Sequence, residues 1–592
     1  MRLPSLASLI QQSRAVIARF PWTMAAAIVA AAAGIIATTK GADEEEWARV
    51  VMVAALGLPL TVAVSLFAEE RRLSRAGSMA LHLGVFGLLV AFYLMWPGPD
   101  RKHEAIRYFQ LSAGLHLLVA FLPLVGQPET GAFWQYNRRL FLGFLRAYVF
   151  AQVLFIGLAI ALAALDQLFG VDVPQEAYGR MAIVIAFVVN TAIFLAAVPF
   201  GVRELASDTE YPRVLKVFSQ YILTPLVFIY LVILIAYLVK IVVGGEWPSG
   251  WIGWLVTSVA VAGLLGFLLI HPLRDDPGEP WIRTYSRWLF LGLIPAALML
   301  LVAFWKRILP YGLTELRLLG LLLGVWLLGV ALSYTVRPRA GIRLIPITLA
   351  ILLLVTLYGP LSVTRLSVAS QGRRLKALVA GAKDRPSNDR EASAALRFLL
   401  DHGARTQIAA AIPGDLPAVR WDSIPDGRSQ RDSVAGRILE VAGMRYLAEQ
   451  YPSRGGYFYV SAVPEGATSI VGYDWMIRVN PQIAPVLAGS DSVRLRYDTL
   501  GLVQVTLDRD TVVFDLRTLV RGIGMDSTSV TPQVPAQRLR LRATTPRRKL
   551  LLALEYLNGR WEGNIRIHGW QGMLLVGRSD GEAAEASKAE VP

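Results

Sequence analysis

Four polar side chains lie inside long apolar segments of this 592-residue sequence: Gln110, His116, Gln152 and Asn190. Polar groups are costly inside a membrane, so each of them is a candidate for a transport path or a binding site. If the segments that carry them are adjacent, the four side chains could line one polar cavity of a permease or flippase. The alternative is that each makes a hydrogen bond between helices, worth about 0.6 to 2 kcal/mol.

A second candidate surface is basic and lies near the C-terminal end. Arginines alternate with leucines there, and a strand places alternate residues on one face. Such a face could contact anionic lipid headgroups or an acidic envelope polymer. The alternative is a solvated strand face followed by a turn. The residues are Arg538, Arg540, Arg542, Arg547, Arg548 and Lys549.

The sequence offers no local signal for a cofactor, a metal site or a catalytic centre. There is no cysteine, and the six histidines are scattered without an i, i+4 pair or an HExxH motif. Motifs for nucleotide binding and for serine hydrolysis are also missing. Catalytic groups can converge from distant positions, so an enzyme acting on lipid-linked substrates stays open if Asp100, His103, Glu104 and Lys306 meet at the outer face of the membrane.

Composition indicates what must position these residues. The hydrophobic fraction is 54%, the charged fraction is only 17%, and the net charge is +15. The mean hydropathy is +0.47. A soluble enzyme carries more charge, so we expect membrane spans with the lipid bilayer as the main partner. A nucleic-acid-binding protein would concentrate its basic residues on one module, and here they are spread.

Eleven segments are long and apolar enough to be spans, since a span needs about 20 mainly apolar residues. They are Phe20–Thr38, Ala48–Ala68, Ala76–Trp96, Ile106–Val125, Phe141–Leu165, Met181–Phe200, Val217–Val243, Ile252–Ile270, Trp288–Phe304, Leu316–Tyr334 and Ile342–Leu361. Short loops on one side carry more Lys and Arg, which predicts a cytoplasmic N-terminus. With eleven spans, the C-terminal domain is then extracytoplasmic.

The chain changes character after Leu361. We expect a transmembrane bundle over 1–361, a helical connector over 362–452, an antiparallel β-rich domain over 453–580 and a disordered tail over 581–592. The predicted fold class is a polytopic α-helical membrane protein of about 11 transmembrane helices with a C-terminal soluble α+β domain. Within the β region, Leu502 to Leu507 and Thr511 to Leu516 are predicted strands, and Leu557-Asn558-Gly559 is predicted as a hairpin turn.

Gly320 and Gly324 form a GxxxG pair in the tenth segment. Two glycines one helical turn apart let a second helix approach closely. This pattern is compatible with packing inside the bundle and with dimerisation.

Several segments resemble one family. They are VLKVFSQYILTPLVFIYLVILIAYLVKI (214–241), EWPSGW (246–251), HPLRD (271–275), YGLTELRLLGLLLGVWLLGVAL (311–332), GPLSVTRLSVASQGRRLKAL (359–378) and GYDWMI (472–477). Together they resemble the bacterial membrane family catalogued as domain of unknown function 4153. One departure is Leu316, where that family's pattern would have Asn. The resemblance implies a polytopic topology and a bacterial inner-membrane location, and it implies no reaction, cofactor or catalytic residue.

These observations favour a non-enzymatic envelope protein that couples a membrane bundle to a periplasmic interaction domain. The alternative is a permease or flippase that uses the polar intramembrane residues. No catalytic residue, metal ligand or cofactor is predicted.

Overall fold

The protein is described here from a computed structural model. The structure describes residues 6–39, 41–98, 102–126, 131–201, 205, 211–245, 251–381, 388–412, 428–447, 457–463, 470–481, 486–488, 491–498, 501–507, 510–523, 533–562 and 564–579. The chain divides into two compact units, Met1–Leu447 and Ala448–Pro592. The disordered tail predicted at 581–592 lies outside the described residues.

The first unit is helical. Its helices are α1 Leu6–Arg19, α2 Pro21–Ala37, α3 Glu44–Glu70, α4 Arg75–Met95, α5 Lys102–Phe121, α6 Gly131–Phe169, α7 Gln175–Val184, α8 Asn190–Ala196, α9 Arg213–Phe218, α10 Thr224–Gly244, α11 Trp251–Ile270, α12 Trp281–Tyr311, α13 Glu315–Val336, α14 Leu344–Val355, α15 Val363–Ala380, α16 Asn388–Asp401, α17 Arg405–Ala411 and α18 Arg428–Val441.

Local chemistry explains where several helices begin. The Asp43 side chain accepts a hydrogen bond from the Glu46 backbone N–H at 3.1 Å, so it caps α3. The first turn of α3 contains Glu44, Glu45 and Glu46. Their negative charges stabilise the helix because the N-terminal end of the helix dipole is positive. Ser74 caps α4 and Ser362 caps α15 in the same way.

Among the described residues, nine helical stretches are long and apolar enough to cross a membrane. Two further apolar helices, α2 and α14, are shorter. Each of the eleven predicted segments therefore corresponds to an apolar helix. The helices pack around a shared core to which Phe267, Leu293 and Ala297 contribute buried side chains.

Two helices contain a π turn, which the sequence analysis did not predict. One is Ile185–Val189, between α7 and α8, and the other is Ser219–Leu223, between α9 and α10. Pro225 follows the second π turn at the start of α10. A proline has no N–H and its ring crowds the carbonyl four residues earlier, here Tyr221, so the wider turn lies where an α-helix would be strained.

The GxxxG pair packs inside the chain. A Cβ on Gly320 would lie 2.1 Å from the Phe304 ring, and one on Gly324 would lie 2.9 Å from Leu301, so both glycines face α12. The close approach of α12 and α13 within one chain explains the pattern without a dimer.

We expect Gly320→Ala to lower the thermal stability of the purified protein, because the Phe304 ring must move to admit the new methyl group. Overpacking of this kind costs about 1 to 3 kcal/mol. Gly329→Ala is the matched control. Gly329 lies in the same helix as Gly320, and a Cβ there would have no neighbouring atom within 4 Å. Equal melting temperatures for the two variants would contradict the packing described here.

Helices α15 to α18 form a small second core in the first unit. Leu396, Leu399 and Ile408 are fully buried in it, together with Ile438 and Leu439. Leu375 of α15 belongs to the same core, so α15 packs on α16 to α18. Helices α15 to α18 therefore form part of the same compact unit as the apolar helices.

The second unit is β-rich. Its strands are β1 Tyr457–Val463, β2 Trp475–Val479, β3 Val486–Ala488, β4 Asp491–Tyr497, β5 Leu502–Leu507, β6 Asp510–Asp515, β7 Gln533–Pro535, β8 Arg540–Thr544, β9 Arg548–Glu562 and β10 Asn564–Arg578, with one helix, α19 Leu516–Gly522.

The strands form two sheets that share one core. One sheet has the order β2-β10-β9-β1-β7, with β8 also paired to β9, and the other has the order β3-β4-β5-β6. Buried residues from both sheets, including Val505, Phe514, Leu552 and Trp570, form a single cluster. The predicted strands at β5 and β6 are confirmed, but the sheet is not wholly antiparallel, because β1 and β7 pair in parallel.

The hairpin predicted at Leu557-Asn558-Gly559 is wrong. These residues lie within β9, which runs without a break from Arg548 to Glu562 and pairs with β10. A register shift between Ile567 and Gly569 lies opposite them. Glycine is present for close packing, because a Cβ on Gly559 would lie 2.2 Å from the Arg566 carbonyl oxygen.

Candidate functional site

Glu315 and His402 form a buried pair between the apolar helix α13 and the group of helices α15 to α18. Glu315 is the first residue of α13, and His402 directly follows α16. The Nε2 atom of His402 lies 2.5 Å from Oε1 of Glu315, and each side chain is only 6% exposed. The pair therefore joins α13, an apolar helix, to α16, which comes after the last apolar helix in the sequence.

The hydrogen bonds of His402 require a proton between the two side chains. Its Nδ1 lies 2.6 Å from the Phe398 carbonyl oxygen, which can only accept, so Nδ1 carries a hydrogen. A neutral ring would then present a lone pair at Nε2 to the Glu315 carboxylate. The contact is favourable only if His402 is an imidazolium or if Glu315 is protonated and donates, so the pair holds one proton in either form.

Three residues of α5 extend this pair. The rings of His103 and His402 stack with their centroids 4.2 Å apart. Nε2 of His103 lies 3.3 Å from Oε1 of Glu104, and Nη1 of Arg107 donates to both Glu104 oxygens, at 2.7 and 2.8 Å. We refer to His103, Glu104, Arg107, Glu315 and His402 as the coupling cluster.

The coupling cluster is buried and internally neutralised. The side chains of His103 and Glu104 are 8% and 6% exposed. The Phe398 ring covers the face of His402 at a centroid distance of 4.0 Å. A buried charge without a partner would be very costly, and here each carboxylate has a cationic or protonated partner. This arrangement can fix three helices relative to one another, but its burial leaves little access for a substrate.

A second contact lies nearby, where α15 holds the loop between α12 and α13. The buried Gln371 Nε2 donates to the carbonyl oxygens of Tyr311 at 3.0 Å and of Leu313 at 2.8 Å. Ser370 Oγ accepts from the Leu313 backbone N–H at 3.0 Å. We refer to Ser370 and Gln371 as the loop clamp. Gly312 adopts a φ of +68° between these carbonyls, a conformation that favours glycine.

Glu315 and His402 were not singled out in the sequence. Of the four residues expected to meet if the chain is an enzyme, His103 and Glu104 belong to the coupling cluster, Lys306 is exposed on α12, and Asp100 lies outside the described residues. The sequence signal that could have found them was their position: Glu315 is the first residue of the apolar helix α13, and His402 directly follows the amphipathic helix α16. In the described part of the chain, no group of three or more His, Asp or Glu side chains is arranged to hold a metal ion.

The four predicted intramembrane polar residues lie in different environments. Gln110 Nε2 donates to the Leu353 carbonyl oxygen at 2.8 Å and to Thr356 Oγ1 at 2.9 Å, which ties α5 to the end of α14. Gln152 is exposed on the surface of α6. His116 and Asn190, by contrast, line one cavity.

That cavity has a volume of about 400 Å³ and is mostly apolar. Asn137 and Thr191 also line it, whereas neither Gln110 nor Gln152 is among its lining residues in the described part of the chain. Among the described residues, Oδ1 of Asn190 is buried without a hydrogen-bond partner. Asn190 directly follows the first π turn, and such turns are frequent at functional sites.

The predicted basic face lies in the second unit. Arg540 and Arg542 alternate on β8, Arg547 lies in the turn before β9, and Arg548 and Lys549 are the first two residues of β9. Arg538 does not belong to the strand as predicted, because it lies in the 3₁₀ turn Ala536–Leu539.

Pro535 explains the correction at Arg538, since it precedes that turn and cannot donate to a strand ladder. Arg538, Arg542 and Arg547 are exposed, and the ammonium of Lys549 lies 5.6 Å from the centroid of the Tyr473 ring. Contact of this face with an anionic partner stays a prediction.

The comparisons with known proteins agree with the resemblance seen in the sequence. A protein of Pasteurella multocida (strain Pm70), described as "Uncharacterized protein PM1469", is 25% identical over 310 residues. The match covers 52% of this chain and 51% of the relative, so the chain spans about half the length of the curated relative it matches. No solved structure matches the chain.

A family model matches residues 23–381, which include the apolar helices and α15. The matched part is more than half of the chain and contains four of the five residues of the coupling cluster. The chain belongs to the family described as domain of unknown function (DUF4153).

Proposed function

We propose that this chain is an integral protein of the bacterial inner membrane that couples a bundle of about eleven spans to an extracytoplasmic module. Its role is in sensing or assembly, without catalysis. The N-terminus is cytoplasmic, and α15 to α18 and the β-rich unit lie outside the cytoplasm. The coupling cluster is the observation that carries this proposal.

The dimensions of α13 support insertion in a membrane. Glu315 in the coupling cluster and Thr335 near the other end are 20 residues apart, which is about 30 Å along a helix. This distance equals the thickness of a bilayer hydrocarbon core. The coupling cluster therefore lies near the level of one headgroup region, where a charged side chain is tolerated.

Burial supports coupling over catalysis. A catalytic acid or base must reach the atom from which it takes a proton. In the coupling cluster, the Glu315 carboxylate instead holds His402 and so joins α13 to the end of α16. The stacked rings of His103 and His402 join α5 to the same point, and the loop clamp adds α15. Any rearrangement of α5 or α13 changes the contacts that hold α16, so a change inside the bundle reaches the module.

Hydrogen–deuterium exchange of the full-length protein in nanodiscs tests the coupling. We expect Glu315→Ala to increase exchange in α15 and α16, because His402 loses its partner and those helices lose an attachment to the bundle. Leu316→Ala is the matched control, since Leu316 is the next residue and is 66% exposed. Unchanged exchange in α15 and α16 of Glu315→Ala would refute the proposed coupling.

The β-rich unit suits the role of an interaction module. It has its own core and carries the basic face, whose exposed arginines could bind anionic lipid or an acidic envelope polymer.

A second candidate function is a permease or flippase, favoured by the cavity that His116 and Asn190 share. The unpartnered Oδ1 of Asn190 offers a hydrogen-bond acceptor inside a mostly apolar space. Transport assays in proteoliposomes test this candidate, which predicts that Asn190→Leu abolishes transport and that a change at the exposed Gln152 does not.

A further inference from the structure

Helices α2, α3, α5, α6 and α8 line the cavity that contains His116 and Asn190. Its volume of about 400 Å³ lies in the range of ligand pockets, which is about 300 to 1,000 Å³. None of its lining residues in the described part of the chain is Lys, Arg, Asp or Glu. We refer to it as the acceptor cavity, after the hydrogen-bond acceptors of His116 and Asn190.

His116 presents the first of these acceptors. Its Nδ1 lies 2.8 Å from the Ser112 carbonyl oxygen one turn earlier in α5, so Nδ1 carries a hydrogen. A neutral ring, which a membrane interior favours over a charged one, then has a lone pair on Nε2. The His116 side chain is exposed, and no residue in the described part of the chain forms a hydrogen bond with its Nε2. This nitrogen can therefore accept a hydrogen bond from a ligand.

Asn190 supplies the second acceptor. Its Oδ1 is buried and has no hydrogen-bond partner among the described residues. Buried polar atoms in native proteins almost always have a partner, and leaving one without a partner costs free energy. A ligand that donates a hydrogen bond to this oxygen would remove that cost.

Two other polar residues that line the acceptor cavity use their donors within the protein. Nδ2 of Asn137 donates to the carbonyl oxygens of Ala120 at 3.0 Å and of Phe133 at 2.9 Å. Oγ1 of Thr61 donates to a carbonyl oxygen of its own helix at 2.6 Å, so in the 2.9 Å contact between Thr23 and Thr61 the donor is Thr23. The hydrogen for His116 Nε2 or for Asn190 Oδ1 must therefore come from the ligand.

The acceptor cavity lies near one end of the bundle and reaches its surface. His116 is five residues before the end of α5 at Phe121, which is about 8 Å along the helix. Thr23 is the third residue of α2, so it also lies near a helix end. Phe144, another lining residue, is 56% exposed. A lipid can therefore enter from the side, with its polar end near the headgroup region of the bilayer.

We infer that the acceptor cavity binds a neutral lipid whose headgroup carries a free hydroxyl group, as in an acylglycerol or an isoprenoid alcohol. The hydroxyl donates to His116 Nε2 or to Asn190 Oδ1, and the hydrocarbon chain contacts the apolar lining. A charged headgroup would have no opposite charge among the described lining residues, and burying an unpaired charge is costly. This inference rests on membrane insertion and names a class of molecule for the cavity of the second candidate function, but it does not depend on the coupling.

Native mass spectrometry of the full-length protein in detergent tests the inference with two pairs of probes. One pair is monooleoylglycerol and its dimethyl ether, and the other is geranylgeraniol and its methyl ether, so each pair differs only in the hydroxyl hydrogens. A site that hydrogen-bonds a hydroxyl rejects the analogue that lacks it. We expect the hydroxyl form to bind about fivefold more tightly than the ether in at least one pair, and that pair identifies the source of the hydroxyl.

Asn190→Leu/His116→Phe should abolish this preference and keep binding of the ether, because the apolar lining stays in place. Gln152→Leu is the matched control and should keep the preference, since Gln152 is exposed on α6 and is not among the lining residues in the described part of the chain. If the double variant does not fold, Asn190→Leu alone is measured, with an expected preference of about twofold.

Three outcomes would overturn the inference. The first is equal binding of hydroxyl and ether in both pairs, because the cavity would then accept any hydrocarbon chain. The second is a preference that survives in the double variant, and the third is tighter binding of phosphatidylglycerol than of either hydroxyl lipid. Hydroxyl-selective binding without transport in proteoliposomes would support the inference and refute the permease, and the exchange experiment on Glu315 tests the coupling separately.

Discussion

Glu315→Ala is expected to lower the free energy of unfolding of the first unit by about 3 to 5 kcal/mol, because it leaves His402 buried without its partner. His402→Ala should cost a similar amount. The double variant should cost less than the sum of the two single changes, since the contact between Glu315 and His402 is lost only once. Reversible unfolding of the purified protein in mixed micelles measures all three.

Glu315→Gln tests whether a hydrogen bond between the two side chains, without a charged carboxylate, is enough to stabilise the pair. A glutamine amide can donate to a neutral His402 Nε2, so this variant should keep most of the stability that alanine loses. Additive losses for the two alanine variants would show that Glu315 and His402 do not act as a pair. A glutamine variant as unstable as the alanine variant would contradict the hydrogen-bond assignment.

The second large effect is expected at Gly559. A Cβ there would lie 2.2 Å from the Arg566 carbonyl oxygen and 2.7 Å from the Phe458 ring, so β9 cannot keep its place beside both β1 and β10. We expect Gly559→Ala to destabilise the β-rich unit by about 3 kcal/mol. Hydrogen exchange over β9 and β10 in the full-length chain should rise sharply.

Gly569→Ala provides a matched control in the neighbouring strand. A Cβ on Gly569 would lie 3.3 Å from the side chain of Asn558, which can move, so the effect should be much smaller. Equal exchange in the two variants would mean that Gly559 is present for a reason other than close packing.

The comparison of Gly559 with its prediction shows where local patterns fail. Asn-Gly favours a two-residue turn in an isolated hairpin. Here the sheet overrides that preference, because Asn558 and Gly559 are paired with β1 on one side and β10 on the other. Strands β5 (Leu502–Leu507) and β6 (Asp510–Asp515) were predictable to within one residue, because their alternation of apolar and polar residues reports burial of one face directly.

The helical unit shows the same contrast. The apolar segments were predictable because length and composition alone decide whether a helix can cross a bilayer. The coupling cluster was not predictable, because Glu315 and His402 are 87 residues apart in sequence and meet only through the packing of α16 on the bundle.

Cysteine labelling tests the central claim, that α15 to α18 form an extracytoplasmic module on the bundle. The chain contains no cysteine, so a single introduced cysteine is the only thiol. Arg390 on α16 and Arg75 at the start of α4 are both exposed. In spheroplasts treated with a membrane-impermeant maleimide, we predict labelling of Arg390→Cys, and labelling of Arg75→Cys only after lysis. Labelling of Arg75→Cys in intact spheroplasts, with Arg390→Cys protected until lysis, would place the module in the cytoplasm and contradict the account.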